Sequence, residues 1–332
     1  MTGAALKLGV VGVGSLGFHH ARIARELPGT EFVGIHDTDA DRLDAVGREL
    51  GVPVHPELES LLDRADAVVI AVPTPAHEAV GLAAVRRGIH ALIEKPLAHS
   101  LEAADAILSA ARESGALVQT GHVERFNSAI RAADPYLDEL LFVESHRLSL
   151  FGPRGTDVAV VLDLMIHDLD LVLSLTRRPV TGLAAAGIPL LTPSPDIANA
   201  RIEFEGGGVA NLTASRVSME RLRKIRFFQP SGYLSLDLAN ARGEFLRLRR
   251  GVTLEPGVPA EVDSLEGLVE RIELKGDGRE PLRCELEAFL ASVRDGEPVK
   301  VTGEDGRRAL RVALEIVERI EDHVAATHTA RT

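Results

Sequence analysis

One cysteine, Cys284, stands in a chain of 332 residues. A lone thiol rules out a disulfide framework and any metal site built from cysteines. No stretch approaches the roughly 18 uninterrupted apolar residues that a membrane span needs. Positive charge is short as well: Lys plus Arg total 37 against 49 Asp plus Glu, for a net charge of -12. A duplex-binding protein carries a basic footprint, so this balance argues against a nucleic-acid partner, although local arginines can still hold a small anion. The apolar start, Ala4 to Val13, lacks the basic flank and small-residue cleavage site of a signal peptide. Internal repeats and low-complexity tracts are missing too. With 45% hydrophobic residues, the chain suffices for a buried core and for two domains of about 100–200 residues each. The expectation is a soluble, cytoplasmic, globular protein.

Short apolar, β-branched runs at 6–13, 31–36, 66–72, 90–94 and 117–121 alternate with helical patterns at 16–26, 40–50, 76–87 and 101–114. Strands separated by helices of 10–15 residues indicate an α/β domain with a doubly wound parallel sheet over residues 1–121. After residue 122 the texture changes. Runs at 142–150, 198–205, 209–216, 224–229, 233–237 and 244–250 read as strands, with turns at Gly206-Gly207-Gly208 and Pro230-Ser231-Gly232. Residues 122–332 are therefore expected to form an α+β domain with an open, largely antiparallel, meander-like sheet. One long helix is expected at 157–175, and two more at 281–294 and 304–323, the last packing back on the first domain.

The first strand runs into Gly12-Val13-Gly14-Ser15-Leu16-Gly17, a complete G-x-G-x-x-G between strand and helix. The first glycine makes the tight turn and the second lets a pyrophosphate approach the backbone. The third permits close helix–strand packing, and the helix N-terminus faces the negative charge. Asp37 follows Gly17 by 20 residues, at the end of the second strand, where a carboxylate accepts ribose hydroxyls. This is the Rossmann fingerprint. Asp37 would repel a 2′-phosphate, so NAD is favoured over NADP, with Arg42 leaving room for a relaxed preference.

Asp163 and His167 lie four apart in a helical pattern and so share a face; Asp170 can share it, and Asp168 is turned away. A histidine with a carboxylate one turn away suits a general base. The same residues also suit a helix start carrying acids for dipole reasons, and no third metal ligand is visible. Only five lysines occur, and one of them, Lys95, sits in Glu94-Lys95-Pro96 at the carboxyl end of a parallel strand. Ligands of open α/β sheets bind along that edge.

The ordered set Gly12-x-Gly14-x-x-Gly17, Asp37, Val72-Pro73-Thr74-Pro75-x-His77, Glu94-Lys95-Pro96-Leu97 and Asp163-x-x-x-His167-Asp168 resembles the Gfo/Idh/MocA oxidoreductases over nearly the whole chain. The resemblance implies an NAD-dependent sugar or polyol dehydrogenase. It makes Lys95 the active-site lysine and His167 with Asp163 the proton-handling pair, either Lys95 or His167 being the base. It places Ser15 and Leu16 with the glycine loop, and Thr74, Pro75, His77, Glu94 and Lys95 at the nicotinamide end. It also implies a cis Lys95–Pro96 bond and a homodimer or homotetramer.

Residues 121–127 and 157–167 further resemble the nucleotide-sugar 3-dehydrogenase branch, which oxidises UDP-N-acetylglucosamine or its uronic acid for amino-sugar and lipid A synthesis. Ser128 stands where that branch usually carries proline. Expected substrate contacts are Lys95, His122, Arg125, Asn127, Arg154 and His167. The arginine forks suit a pyrophosphate, or alternatively a surface salt bridge. The run Arg221, Arg223, Lys224, Arg226 reads as a solvated strand face. A free polyol or monosaccharide is the alternative substrate, and a non-catalytic NAD-binding regulator the alternative role.

Overall fold

The computed structural model describes residues 5–152, 158–249 and 265–329. Arg154, the expected helix start at Asp157 and the loop Gly251–Pro259 lie outside the described residues.

Five parallel strands form the first sheet, in the order β2-β1-β3-β4-β5. They are β1 (Leu6–Val11), β2 (Thr30–His36), β3 (Ala67–Ile70), β4 (His90–Glu94) and β5 (Val118–Gly121), joined through α1 (Ser15–Ala24), α2 (Ala40–Leu50), α3 (Leu58–Leu62), α4 (His77–Val85) and α5 (Leu101–Ser114). All four β3 residues are fully buried, as befits a strand covered on both faces. Local chemistry sets the helix ends. Asp39 caps α2 by accepting the Arg42 amide proton at 3.0 Å, and Ser100 caps α5 through the Ala103 amide at 3.2 Å. Val52 to Val54 also run beside β2, joined by a bridge between Ile35 and Val54.

The second sheet has eight strands among the described residues, ordered β13-β12-β11-β10-β6-β9-β8-β7. The new elements are α6 (Ser128–Ala133), β6 (Phe142–Leu148), α7 (Ile166–Thr176), β7 (Val180–Ile188), β8 (Ile197–Phe204), β9 (Val209–Ser215), β10 (Leu222–Gln229), β11 (Gly232–Asp237), β12 (Arg242–Leu248), α8 (Leu265–Leu268) and β13 (Val269–Lys275). Strict alternation buries Ala198, Ala200, Ile202 and Phe204 of β8 and leaves Asn199, Arg201 and Glu203 outside. The sheet is not a simple meander. β6 sits inside it, antiparallel to β10 and parallel to β9. The expected helix over 157–175 also differs: Val161–Met165 is a π-helical turn, and the α-helix proper starts at Ile166.

Two more helices follow, α9 (Pro281–Asp295) and α10 (Gly303–Thr329). Contacts divide the chain into two compact units, residues 1–123 with 280–312, and residues 124–279 with 313–332. A division into contiguous blocks 1–121 and 122–332 misses the return of 280–312 to the first unit. The cause is the amphipathic face of α9, whose Leu282, Leu286, Phe289 and Leu290 join the same buried cluster as Leu8, Val10, Ile23 and Ile35. α10 crosses from one unit to the other at Val312/Ala313.

Candidate active site

In the first unit, β1 ends on the glycine loop. Gly12 has φ +82°, and a Cβ there would stand 2.7 Å from the Val72 amide nitrogen. A Cβ on Gly17 would collide with the Gly12 carbonyl oxygen, whereas one on Gly14 would meet nothing within 4 Å. The loop is therefore closed against its own sheet and open at Gly14. α1 starts without a side-chain cap and without an acid in its first turn, leaving amide protons for an anion. Ser15 opens that turn, and Leu16 beside it is exposed.

Asp37 accepts the Val13 amide at 2.6 Å with one oxygen and the Asp39 amide at 2.9 Å with the other. An ionised carboxylate has about four acceptor positions, so two remain for ribose hydroxyls. Arg42 donates to the Val13 carbonyl at 2.8 Å and the Gly14 carbonyl at 3.4 Å, which binds its guanidinium into the loop. These residues fit an NAD adenosine and pyrophosphate.

At the ends of β3 and β4, Thr74–Ala76 makes one 3-10 turn, with Pro75 exposed and His77 buried. His77 spans 2.9 Å from Nδ1 to the Pro96 carbonyl and 3.0 Å from Nε2 to the Val72 carbonyl. Burial pushes its pKa below the ordinary 6.5 against the opposing pull of both carbonyls and Glu94. A neutral ring donates from one nitrogen only, so His77 bonds one of these two carbonyls at a time, and at 1% exposure it is not a surface contact. Lys95 is half-buried, and its peptide bond to Pro96 is cis.

Glu94 points inward. Its Oε1 lies 2.7 Å from His20 Nε2, and its Oε2 accepts the Lys95 amide at 3.2 Å. The ligand atoms of His20, Glu94 and Glu285, all buried, lie within 4.8 Å of one another. His20 and Glu285 were not singled out from the sequence. The signal for His20 was there: its helix face otherwise buries Gly17, Ala21 and Ala24. His122, at the end of β5, is 1% exposed.

In the second unit, Asp163 lies in the π-helical turn and His167 in the first turn of α7, both half-buried. In a turn closed by i→i+5 bonds a residue four on still returns to roughly the same side, so the shared face survives the change of helix type. Asp168 and Asp170 are buried instead. Arg147 donates to both Asp168 oxygens, with Nη2 at 2.6 Å, and through Nη1 to Glu124 at 2.9 Å. Arg147 was missed, although it occupies the inward parity of β6 with Val143 and Ser145.

Arg125 and Asn127 differ from expectation. Arg125 makes a forked pair with Asp170, Nε and Nη2 each at 2.6 Å. Asn127 caps α6 through the Ala129 amide at 3.0 Å and donates to Glu124 and the Leu238 carbonyl, both at 2.9 Å. These polar groups are spent inside the fold, because a buried donor without a partner costs about 1–3 kcal/mol.

A glycine loop closed around its own strand, with a carboxylate at the end of β2 beside it, defines the dinucleotide-binding unit of an NAD-dependent oxidoreductase. The family described as "Oxidoreductase family, NAD-binding Rossmann fold" (Gfo/Idh/MocA) matches residues 6–122. UDP-N-acetylglucosamine 3-dehydrogenase of Acidithiobacillus ferrooxidans is 36% identical over 321 residues, covering 95% of this chain and 97% of that protein. Its solved structure superposes with a TM-score of 0.87 at 35% identity, covering 96% and 98% of the two chains. Inositol 2-dehydrogenase 2 of Saccharopolyspora erythraea is 28% identical over 326 residues, 93% of this chain and 91% of that one. The chain belongs to the Gfo/Idh/MocA family of NAD-dependent oxidoreductases.

Proposed function

We propose that the protein oxidises the 3-hydroxyl of UDP-N-acetylglucosamine, or of its uronic acid, to the 3-keto sugar. The observation that carries this reading is the likeness to the Acidithiobacillus ferrooxidans enzyme, which runs through both units at 36% identity. NAD, when bound, supplies the hydride acceptor. Gly12, Gly14, Ser15, Leu16 and Gly17 hold its pyrophosphate and Asp37 its ribose, while Thr74, Pro75, His77, Glu94 and Lys95 shape the nicotinamide end. His167 takes the hydroxyl proton, and Asp163 stabilises the resulting imidazolium. Lys95 donates a hydrogen bond to the oxygen as the carbonyl forms. If Lys95 is the base, His167 becomes the hydrogen-bond donor. Lys95, His122, Arg154 and His167 remain substrate contacts in this reading, with Arg125 and Asn127 reassigned to support.

The 3-keto product suits a following aminotransferase, giving a 3-amino sugar for lipid A or another surface polysaccharide. A cytoplasmic homodimer or homotetramer completes the reading, supported by the open outer face of the second sheet. There Arg226–Glu144 at 2.6 Å and Arg271–Glu244 at 2.6 Å leave paired, nearly neutral charge that a second copy can cover. Among the described residues no helix is long and apolar enough to cross a membrane.

The test is to incubate the protein with NAD and a panel of UDP-sugars, inositol and free hexoses, and to follow NADH absorbance with a coupled aminotransferase present. Turnover of UDP-N-acetylglucosamine is expected. Turnover of inositol or glucose alone would overturn the substrate assignment and leave the dehydrogenase class intact.

A further inference from the structure

α7 begins under unusual conditions. It follows directly on the π-helical turn, and its N-cap, Met165, offers no side-chain hydrogen bond. No cap side chain fixes the rotation of the first turn, which carries His167. Two carboxylates on that turn do. Asp168 is held by Arg147 and by the Ser145 hydroxyl at 2.8 Å, and Asp170 by the fork of Arg125. The two clamps are tied to one another, because Arg147 also donates to Glu124, the neighbour of Arg125. β6, the segment 124–127 and the first turn of α7 are thereby closed into one ring.

We infer that Arg125 and Arg147 are positioning residues for His167, each acting through the aspartate it holds. The inference rests on reading His167 as the proton-handling group. Fixing α7 at the first and third residues after His167 removes both rotation and sliding. Cα atoms lie about 2.3 Å from a helix axis and an imidazole roughly 6 Å from it, so a 10° rotation carries the ring about 1 Å. A misplacement of that size costs on the order of 100-fold in turnover. Well-packed apolar side chains would often serve stability as well as a buried ion pair does, so stability alone does not call for two arginine forks here.

The Arg125–Asp170 pair allows a clean test. The double variant Arg125→Met with Asp170→Leu removes both charges of this pair together, and Arg125→Lys keeps the charge while losing the fork. Both are compared with His167→Asn in turnover of the sugar found by the panel, in thermal unfolding, and in a crystal structure. For both clamp variants the expected result is a folded protein with kcat reduced at least tenfold, KM for NAD unchanged within twofold, and the His167 ring displaced or split over two positions. A ring in its original place with a raised sugar KM would overturn the inference in favour of direct substrate contact. Unaltered kcat in a folded Arg125→Lys protein would overturn it too, should the double variant not fold. If His167→Asn itself retains full turnover, the base reading fails and the positioning claim falls with it. An inactive His167→Asn beside fully active clamp variants defeats the clamp alone.

Discussion

The Asp37 carboxylate accepts the Val13 amide proton at 2.6 Å, so the residue expected to recognise a ribose also holds the glycine loop in shape. Two functions then ride on one side chain. Asp37→Asn keeps an acceptor oxygen and removes the charge. NAD affinity is expected to fall about tenfold or more, in line with the 1.5–3 kcal/mol of a hydrogen bond to a charged group. Rejection of NADP should weaken at the same time. Titration of both dinucleotides measures this, and tighter NADP binding by the unmodified protein would contradict the assignment.

Gly14 and Gly17 should separate binding from folding. A methyl group on Gly14 meets open space, so Gly14→Ala should unfold at the same temperature and bind NAD poorly. On Gly17 it meets the Gly12 carbonyl, so Gly17→Ala should lower the melting temperature by several degrees as well. Calorimetry with and without NAD reads both effects. Equal melting temperatures for the two variants would show that the loop is looser than its geometry states.

Loss of the proton-handling groups should affect chemistry and spare cofactor binding. General acid–base catalysis contributes about 10²–10⁴-fold. His167→Asn and Lys95→Met are each expected to lose at least that much turnover, with the Kd for NAD within threefold of the original. Activity within tenfold of the parent in both variants would remove the assignment.

Glu124 should matter for acid stability. Burial alone would raise its pKa, but the Arg147 charge and hydrogen bond, with Arg223 behind them, hold it below the ordinary 4.5. A carboxylate held below its unfolded value stabilises the fold above that value, and the contribution drains away as pH falls through the folded pKa. Glu124→Gln keeps an acceptor for Arg147 but removes the charge, and should cost about 1.5–3 kcal/mol near pH 7. Denaturant titrations should show the gap to the parent narrowing below pH 4.5. A gap independent of pH would mean that the charge is not what Glu124 contributes.

The first unit should weaken in mild acid for a different reason. Burial holds both His77 and His90 below 6.5, for His90 against the pull of Asp66. The unfolded chain then binds more protons in that window, so stability is complete above pH 6.5 and declines as the pH drops below it. The melting temperature is expected to fall between pH 7.5 and 5.5. His77→Gln should flatten that slope, and an unchanged slope would exclude His77 as its source.

Much of the first unit was legible because its signals are local. The Gly12–Gly17 turn, the carboxylate at Asp37 and Lys95 before Pro96 each state their geometry within a few residues. Partners were not legible. Spacing put Asp168 and Asp170 on faces of a helix but could not say that Arg147, 21 residues earlier, and Arg125, 45 residues earlier, would fill them. Arg125 and Asn127 were read as ligand contacts for the same reason, since an arginine fork suits a carboxylate of the fold as well as a phosphate. β7 escaped because Val180–Ile188 is largely alanine and glycine, poor strand formers on their own. β13 escaped because Val269–Lys275 is mostly charged, with Leu274 alone fully buried, as suits an edge strand.

The return of α9 to the first unit bears on how such a protein can be taken apart or recombined. Residues 1–121 are not a transferable cassette. Without Leu282, Leu286, Phe289 and Leu290, the surface around Leu8, Ile23 and Ile35 that they cover would be bare. A chimaera that exchanges the cofactor half must therefore carry two segments, the second cut from the far end of the gene. Two separate crossovers would be needed to shuffle cofactor preference and sugar choice among relatives, which favours their inheritance as one block.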